Sequence, residues 1–326
     1  MTDSFFGPLW VRNTLKNIKF LDKILIIKNI SNSPVLIVGS GPTAEEILKI
    51  KNLKKYIIIT IPQTLRLFKI NRIKPDIVVM VDAGYPNRLY KTDIDSPLIS
   101  YIYSSHEFIK NYKGIISFVN SNSPIDATIL SGFPIIPVGG SVGSTCIEIA
   151  KNISDTIIIA GFDFTIIDGY YHYKKSPIEE NSIFYSNKIN TVEKKITDII
   201  TNNSFKISNN IYTNNSMISY KKEFLNRIYN TNKKIYRISN KSLEELEIIN
   251  IDNLKIPGKK IYFEKIDIDK NIKTRIIEEI KNIYLKKDLN NQFLNTHLKR
   301  WILKNDNESI DYEIKKIIEK IDMIKN

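Results

Sequence analysis

Short runs of consecutive apolar, mostly β-branched residues recur between residues 34 and 164 and alternate with segments of helical character. Because these runs show no in/out alternation, they are typical of strands that are covered on both faces. They predict strands at Pro34–Val38, Tyr56–Ile61, Asp76–Val81, Pro97–Tyr103, Ile115–Val119, Ile135–Val138 and Thr156–Ala160. The segments between them predict helices at Thr43–Leu53, Gln63–Asn71, His106–Lys113 and Val142–Ile153. This order predicts an α/β fold with a doubly wound, mainly parallel, Rossmann-like sheet.

The pattern changes on both sides of this stretch and predicts four regions. Residues 1–33 are predicted as a helical segment over Leu9–Ile30 that packs on the sheet, and residues 34–175 as the α/β domain. Residues 176–216 are rich in Asn, Ser, Thr and Lys and predict a mobile loop or lid. Residues 217–326 predict a mainly helical C-terminal subdomain with one strand at Lys234–Ser239. Its predicted helices are Met217–Tyr229, Ile268–Lys286, Asn291–Leu303 and Tyr312–Ile324.

Composition narrows the class of protein. The chain has 326 residues, one cysteine and a net charge of +13. Its longest apolar runs have the length of strands and not of membrane helices, so a cytoplasmic protein without a transmembrane segment is expected. The charge is spread along the chain without an Arg-rich tract or a nucleic-acid-binding motif, so no DNA partner is expected. A lysine-rich surface and a field that attracts phosphosugars or membrane headgroups both fit this charge.

A first glycine-rich turn follows the predicted strand Pro34–Val38 and leads directly into a helix. Gly39, Ser40 and Gly41 form the turn, Pro42 suits the first helical position, and Thr43 follows. The free N–H groups of such a helix end stabilise an anion. The turn lacks the third glycine of the dinucleotide fingerprint and the Gly-Lys-Ser/Thr of a P-loop. A phosphate site and a plain strand–helix turn therefore both stay open.

Two further features fall at predicted strand ends. Asp82 follows the strand Asp76–Val81, at the edge where such sheets bind ligands, and suits a ribose hydroxyl, a metal ion or a simple turn. A second turn of small residues precedes the helix that contains Cys146, which is predicted to be a core residue. Together with the first turn it predicts a cradle for a polyanion, formed by Gly139, Gly140 and the hydroxyls of Ser141, Ser144 and Thr145.

The last chemical feature is a cluster of aromatic and ionisable residues after the strand Thr156–Ala160. Asp163 ends that strand, and Tyr171, His172 and Tyr173 follow. Histidine has an unperturbed pKa of about 6.5, which suits general acid–base catalysis. The tyrosines suit hydrogen bonding to a leaving phosphate. An exposed aromatic loop without chemistry is the alternative, and the two other histidines, His106 and His297, are predicted to be structural.

The order of these motifs resembles a known family. The strings FGPLWVRNTLKNI, VLIVGSGPTAEE, IPQTLRLF followed by KPDIVVMVDAG, and GGSVGSTCIEIAKNISDTIIIAGFDF are similar to the central domain of motility accessory factor (Maf) flagellin glycosyltransferases. That domain is shared with 6-hydroxymethylpterin pyrophosphokinase (MptE-like) proteins. The same order of motifs also resembles bacterial CMP-sialic-acid-dependent sialyltransferases. The resemblance covers about residues 5–175.

The Maf resemblance implies transfer of a nonulosonic, sialic-acid-like sugar from a CMP-sugar donor to a protein or glycan hydroxyl, with flagellin among the acceptors. It implies that Asp82 lies near the donor or a metal, and that Asp163 and His172 lie at the reacting end. For such a transfer His172 is the candidate base, and Tyr171, Tyr173 and Lys174 are the candidates for stabilising the departing phosphate. The implied contacts to the nucleotide are Gly39, Ser40, Gly41, Pro42, Thr43, Gly139, Gly140, Ser141 and Ser144.

Two other functions stay open. A diphosphokinase would transfer a pyrophosphoryl group from ATP, with Mg²⁺ held by Asp82 and Asp163. A non-catalytic nucleotide-binding or nucleic-acid-binding protein would use the basic surface without turnover. The sequence predicts neither the sugar, nor the acceptor, nor the oligomeric state.

Overall fold

The computed structural model describes residues 2–29, 32–84, 89–90, 92–251, 254 and 256–325. The strands are β1 (Lys23–Asn29), β2 (Val35–Val38), β3 (Ile57–Thr60), β4 (Ile77–Met80), β5 (Leu98–Ser100), β6 (Ile116–Phe118), β7 (Thr156–Ala160), β8 (Ile166–Ile167), β9 (Phe205–Ser208), β10 (Ile211–Thr213), β11 (Lys234–Arg237), β12 (Glu247–Ile248) and β13 (Ile261–Asp267). The α-helices are α1 (Thr2–Asn17), α2 (Leu65–Ile70), α3 (His106–Ile109), α4 (Pro124–Ile129), α5 (Val142–Lys151), α6 (Pro177–Phe184), α7 (Val192–Asn203), α8 (Asn215–Tyr229), α9 (Lys270–Lys286), α10 (Gln292–Ile302) and α11 (Asn307–Lys325). Short 3₁₀ helices span Ile18–Phe20, Pro42–Lys49, Leu53–Lys55 and Pro62–Thr64.

One large sheet forms the centre of the molecule, in the order β12-β11-β7-β2-β3-β4-β5-β6-β1-β13. All neighbouring pairs are parallel except β1 with β13 at one edge. The central strands β2, β3 and β4 are buried along their whole length because helices cover both faces. The prediction of a doubly wound, mainly parallel sheet from uninterrupted apolar runs is confirmed.

The order of the strands reverses at β2, and this reversal fixes where a ligand is expected. From β2 the chain proceeds outward through β3, β4, β5 and β6, then returns to place β7 on the other side of β2. In open α/β sheets, ligands bind beyond the carboxyl ends of the strands near such a reversal. The connecting helix α5 packs against β2, β3 and β4, so its N-terminus opens at that same edge.

The N-terminal region contains a strand that the sequence did not predict. Residues 9–20 are helical as expected, but Lys23–Asn29 forms β1, which pairs with β13 through seven residues and with β6 at one residue. Four consecutive apolar residues, Ile24–Ile27, are compatible with either a helix or a strand, and the distant partner β13 decides in favour of the strand. Ile30, where the predicted helix ended, lies outside the described residues.

The prediction of a loop or lid at residues 176–216 was wrong about the secondary structure of this segment. This segment forms α6, α7 and the hairpin of β9 with β10, and β10 also pairs with β8. Its polar residues begin the helices, since the hydroxyls of Ser176 and Thr191 accept backbone N–H groups of α6 and α7. The polar composition therefore reflects helix capping and solvent exposure.

The C-terminal region is mainly helical, as predicted, and it also contributes strands to the central sheet. Its helices α8 to α11 lie close to the predicted positions, but β11, β12 and β13 join both ends of the central sheet. The predicted strand Ile135–Val138 is also absent, and this segment makes only an isolated bridge from Ile135 to Asn120. The predicted helix Thr43–Leu53 appears as the 3₁₀ helix Pro42–Lys49.

The cysteine and the two histidines that were predicted to be structural are all buried in the protein. Cys146 is fully buried, and His297 is buried against Tyr284, whose hydroxyl lies 2.7 Å from His297 Nδ1. His106 is buried as well, with Nδ1 2.9 Å from Asn17 Oδ1. In the described part of the chain, no helix combines the length and apolarity needed to cross a membrane.

Candidate functional site

The first glycine-rich turn packs tightly against the end of β7. The N–H of Gly39 donates to Ala160 O (2.8 Å), and the N–H of Gly41 donates to Gly161 O (2.7 Å). A Cβ on Gly41 would overlap both Gly161 O and the carboxylate of Asp163, so glycine is required by this close approach. The backbone of the turn therefore joins β2 to β7.

Asp163 occupies the helix end at which the sequence led us to expect a phosphate. Its Oδ2 accepts the N–H of Thr43 (2.8 Å), and its Oδ1 accepts the Thr43 hydroxyl (2.5 Å). The residue is only 2% exposed, and burial raises the pKa of its carboxyl. A protein carboxylate already serves as the anion at this helix start. This departs from the expectation that Gly39–Thr43 hold a phosphate and that Asp163 lies at a reacting centre.

His172 lies beside the same turn, in a small cavity of about 170 Å³. Its Nδ1 is 3.0 Å from the hydroxyl of Ser40 and 3.3 Å from the carbonyl oxygen of Ser40. Burial lowers the pKa of His172, and the hydrogen bond to the Ser40 backbone partly offsets this. The imidazole is therefore biased toward its neutral form. The cavity also contains Pro42, Thr43 and Lys174.

The two predicted tyrosines do not meet His172 in one catalytic cluster. Tyr173 is 1% exposed, and its hydroxyl donates to Gln63 O (3.2 Å) while its N–H donates to Ser40 O (2.9 Å). Burial raises the pKa of Tyr173. Tyr171 is partly buried and lines neither this cavity nor the larger one described next. Tyr173 thus has a packing role.

A larger cavity, of about 960 Å³, opens beyond the carboxyl ends of β3, β4, β5 and β6. This volume lies at the upper end of the range for small-molecule sites and suits a ligand of the size of a nucleotide-sugar. Residues from the strand ends, α1, α8, α10 and the second small-residue turn line it: Phe6, Trp10, Pro62, Gln63, Met80, Val81, Asp82, Ala83, Tyr103, Asn122, Ser123, Pro124, Ile125, Val138, Gly139, Gly140, Ser141, Val142, Tyr220 and Thr296. Asp163 and His172 are not among these residues.

The N-terminus of α5 faces this larger cavity with its backbone donors uncapped by a side chain. Ser141 is the N-cap and makes no side-chain cap hydrogen bond, and Gly139, Gly140 and Val142 line the cavity beside it. The first N–H groups of an α-helix have no partner within the helix, so they attract an anion. By contrast, α4 is capped by the hydroxyl of Ser123, and the helix at Pro42–Lys49 by Asp163.

Two side chains of α8 hold the second turn in place. The buried hydroxyl of Ser144 donates to Glu223, and a Cβ on Gly139 would overlap Ser144. Arg227 donates through Nε to Glu223 Oε1 (2.8 Å) and through Nη2 to Val138 O (2.9 Å). Ser144, predicted to contact the ligand, thus supports the turn from behind, while Gly139–Ser141 face the cavity.

Asp82 supplies the one carboxylate among the described residues that line the larger cavity. It is exposed at the carboxyl end of β4, and its Oδ1 accepts the N–H of Gly84 (2.8 Å). Asp163 lies in a different environment, bonded to Thr43, so the pair expected for Mg²⁺ is not assembled. Within the described ranges, no group of three or more His, Cys, Asp or Glu residues is arranged to hold a metal. Because Asp163 is bonded to Thr43 and does not line the cavity that contains Asp82, these two carboxylates do not fit a shared Mg²⁺ ion.

A buried carboxyl lies just behind the cavity, in the first turn of α4. Asp126 Oδ2 accepts the N–H of Ser121 (2.9 Å), whereas Oδ1 is buried without a hydrogen-bond partner. Burial raises the pKa of Asp126 to about 7. The neutral, protonated form is therefore well populated near neutral pH.

Several lining residues were not predicted. Trp10 and Tyr103 form an aromatic wall with ring centroids 5.5 Å apart, and Tyr220 faces the cavity from α8. These residues come from segments far apart in the chain, so no local pattern indicates them. Ser123-Pro124, in contrast, had a local signal, since a capping serine followed by proline after a strand marks a helix start.

Comparison with known proteins bears on both the domain and the fold. Residues 12–169 match the sequence model of a family described as 6-hydroxymethylpterin diphosphokinase MptE-like. Among solved structures, that of the MAf glycosyltransferase from Magnetospirillum magneticum AMB-1 is similar, with a TM-score of 0.56 at 14% identity. The alignment covers 85% of this chain and 41% of that one, so this chain spans less than half the length of that enzyme. No curated protein matches.

Proposed function

We propose that this chain is a glycosyltransferase that uses a nucleotide-sugar, because residues 12–169 match the MptE-like family model and the fold is similar to that of a MAf glycosyltransferase. The donor is a CMP-linked nonulosonic sugar, and the acceptor is a hydroxyl group of a protein or a glycan. Flagellin is one of the proposed acceptors. The observation that carries the proposal is the cavity of about 960 Å³ with the uncapped N-terminus of α5 in its wall.

The donor phosphate binds at the N-terminus of α5, beside Gly139, Gly140 and Ser141. Support comes from the helix dipole and from backbone N–H groups that the side chain of Ser141 does not cap. A CMP-sugar carries its own leaving group, so stabilising the departing phosphate is one of two tasks of the enzyme. The other task is to remove the proton of the acceptor hydroxyl.

Asp82 is our candidate for that proton transfer, because it is the carboxylate on the described wall of the cavity. The hydrogen bond from Gly84 N–H orients one oxygen of the carboxylate. His172 is a second candidate, since burial favours its neutral form, but it lies in the separate cavity beside Ser40. We therefore rank Asp82 above His172.

A diphosphokinase is the second candidate function, favoured by the description of the family that matches residues 12–169. The same α5 N-terminus would then bind the phosphates of ATP. A Mg²⁺ ion would need ligands other than Asp163, because that carboxylate is committed to Thr43. The two functions therefore predict different nucleotides for one cavity.

Calorimetric titration of the protein with CMP and with ATP plus Mg²⁺ separates the two. We expect CMP to bind, and the variant Val142→Pro to weaken that binding by about 10- to 100-fold, as loss of one hydrogen bond to a charged group predicts. Proline is tolerated at the first position of a helix, and Ser141 has the extended backbone that precedes proline well, so α5 stays intact.

Binding of ATP with Mg²⁺ and none of CMP would favour the diphosphokinase. Binding of CMP that Val142→Pro leaves unchanged would place the phosphate elsewhere and contradict the proposed site. A thermal melt of Val142→Pro that matches the wild type is the control that the fold is intact.

A further inference from the structure

Helix α8 lies beyond the part of the chain that matches the MptE-like family, yet it forms one wall of the larger cavity. Tyr220 lines the cavity and is 45% exposed. Its Cδ1 lies 3.5 Å from the position that a Cβ on Gly140 would take. A large exposed aromatic ring therefore stands next to the turn at which we place the donor phosphate.

The position of this ring is fixed by the rest of α8. Phe224 is fully buried and stacks on Phe162 with centroids 5.5 Å apart. Glu223 and Arg227, three and seven residues after Tyr220, lie on the same helical face and bond to Ser144 and Val138 O. The helix is thus anchored both to the core and to the second turn, and Tyr220 projects from a rigid element.

The other aromatic residues of the cavity are already packed against one another. Tyr103 is only 5% exposed, because its ring packs between those of Trp10 and Tyr101. The ring centroids of Trp10 and Tyr101 lie 5.5 Å and 5.4 Å from that of Tyr103. The Tyr103 ring therefore has little accessible surface on which a planar ligand could stack. Tyr220, in contrast, lines the cavity and is 45% exposed.

We propose that Tyr220 is the stacking platform for the base of the nucleotide whose phosphate binds at the N-terminus of α5. This inference rests on the proposed function and extends it to a residue outside the family domain. Any nucleobase has a π-face, so stacking binds pyrimidines and purines alike. Base affinity thus comes from α8 and phosphate affinity from α5.

The test compares variants in calorimetric titrations with CMP, with ATP plus Mg²⁺ and with inorganic pyrophosphate. For the nucleotide that wild type binds, Tyr220→Ala is expected to raise Kd by about 10- to 100-fold, the range of base–aromatic stacking. Tyr220→Phe keeps the ring and is expected to stay within about threefold of wild type. Pyrophosphate, which has no base, is expected to bind all variants equally.

Tyr229→Ala is the matched control, because Tyr229 is 60% exposed on the same helix and does not line the cavity. An unchanged nucleotide Kd in Tyr220→Ala overturns the stacking role and leaves the proposed function standing. An equal loss of nucleotide and pyrophosphate affinity in Tyr220→Ala also overturns the stacking role. The ring would then affect binding by supporting the second small-residue turn, where the phosphate binds. If wild type binds neither nucleotide, the proposed function fails and this inference fails with it.

Discussion

Replacing Asp163 distinguishes a structural carboxylate from a catalytic one. The side chain accepts two hydrogen bonds from Thr43, one from the backbone N–H and one from the hydroxyl. Asp163→Ala removes both acceptors and leaves the Thr43 N–H buried without a partner. Asp163→Asn keeps the shape, since its amide oxygen accepts the Thr43 N–H while its NH₂ donates to the Thr43 hydroxyl oxygen.

The size of the effect follows from these contacts. A hydrogen bond to a charged group contributes about 1.5–3 kcal/mol, and loss of a helix cap costs about 0.5–2 kcal/mol. The burial that raises the pKa of Asp163 offsets part of the gain, because it disfavours the ionised form. We therefore expect Asp163→Ala to lower the free energy of unfolding by about 2–4 kcal/mol. Asp163→Asn is expected to lower it by less than about 1 kcal/mol.

Urea unfolding followed by circular dichroism measures these differences, with Thr43→Val completing a double-mutant cycle. The losses from Asp163→Ala and Thr43→Val are expected to be less than additive, because each removes the same hydroxyl–carboxylate contact. Asp163→Asn is also expected to keep nucleotide binding and turnover. The reasoning is refuted if Asp163→Asn is as stable as wild type but inactive, since the carboxylate would then act in chemistry.

Three further predictions concern the walls of the larger cavity. The pKa of Asp126 is raised to about 7, above an unfolded value of about 4, so the stability that this carboxyl contributes is fully present below about pH 4 and is lost as pH rises through about 7. Asp126→Asn is expected to remove much of the fall in melting temperature between pH 5 and pH 8, and an unchanged fall would contradict the buried carboxyl. Arg227→Gln removes the hydrogen bonds to Val138 O and Glu223 that hold the second turn, and it is expected to raise the Kd for the nucleotide by about 10-fold. The control is Lys233→Gln, which breaks an exposed ion pair with Asp155 and is expected to leave this Kd unchanged. Asp82→Asn is expected to lower kcat by about 100-fold or more with Kd for CMP unchanged, as loss of a general base predicts. A raised Kd instead would assign Asp82 to the ribose, and His172→Ala with the same loss of kcat would make His172 the base.

The central strands were predictable because parallel strands buried on both faces need continuous apolar runs. Ile57–Thr60 and Ile77–Met80 lie within the runs that predicted them. Strand β1 was not predictable, because its partner β13, at the edge of the sheet, comes more than 200 residues later and no local signal links Lys23 to Asp267. For the same reason the sequence did not predict that β11, β12 and β13 of the mainly helical C-terminal region join the central sheet.

The site illustrates the same limit at the level of single residues. The two small-residue turns look alike in sequence, and both precede helices at the same edge of the sheet. What separates them is a distant side chain, since Asp163 fills the first helix end while Ser141 leaves the second open. The sequence did not indicate Tyr220 for a similar reason, because its position beside Gly140 depends on how α8 packs against the rest of the protein.

A crystal structure of the protein with CMP tests the central claim most directly. We predict that the phosphate lies at the N-terminus of α5, within hydrogen-bond distance of backbone N–H groups between Gly140 and Gly143, and that the cytosine ring stacks on Tyr220. A phosphate bound at Gly39–Thr43, with the Asp163 carboxylate displaced from Thr43, would contradict the account.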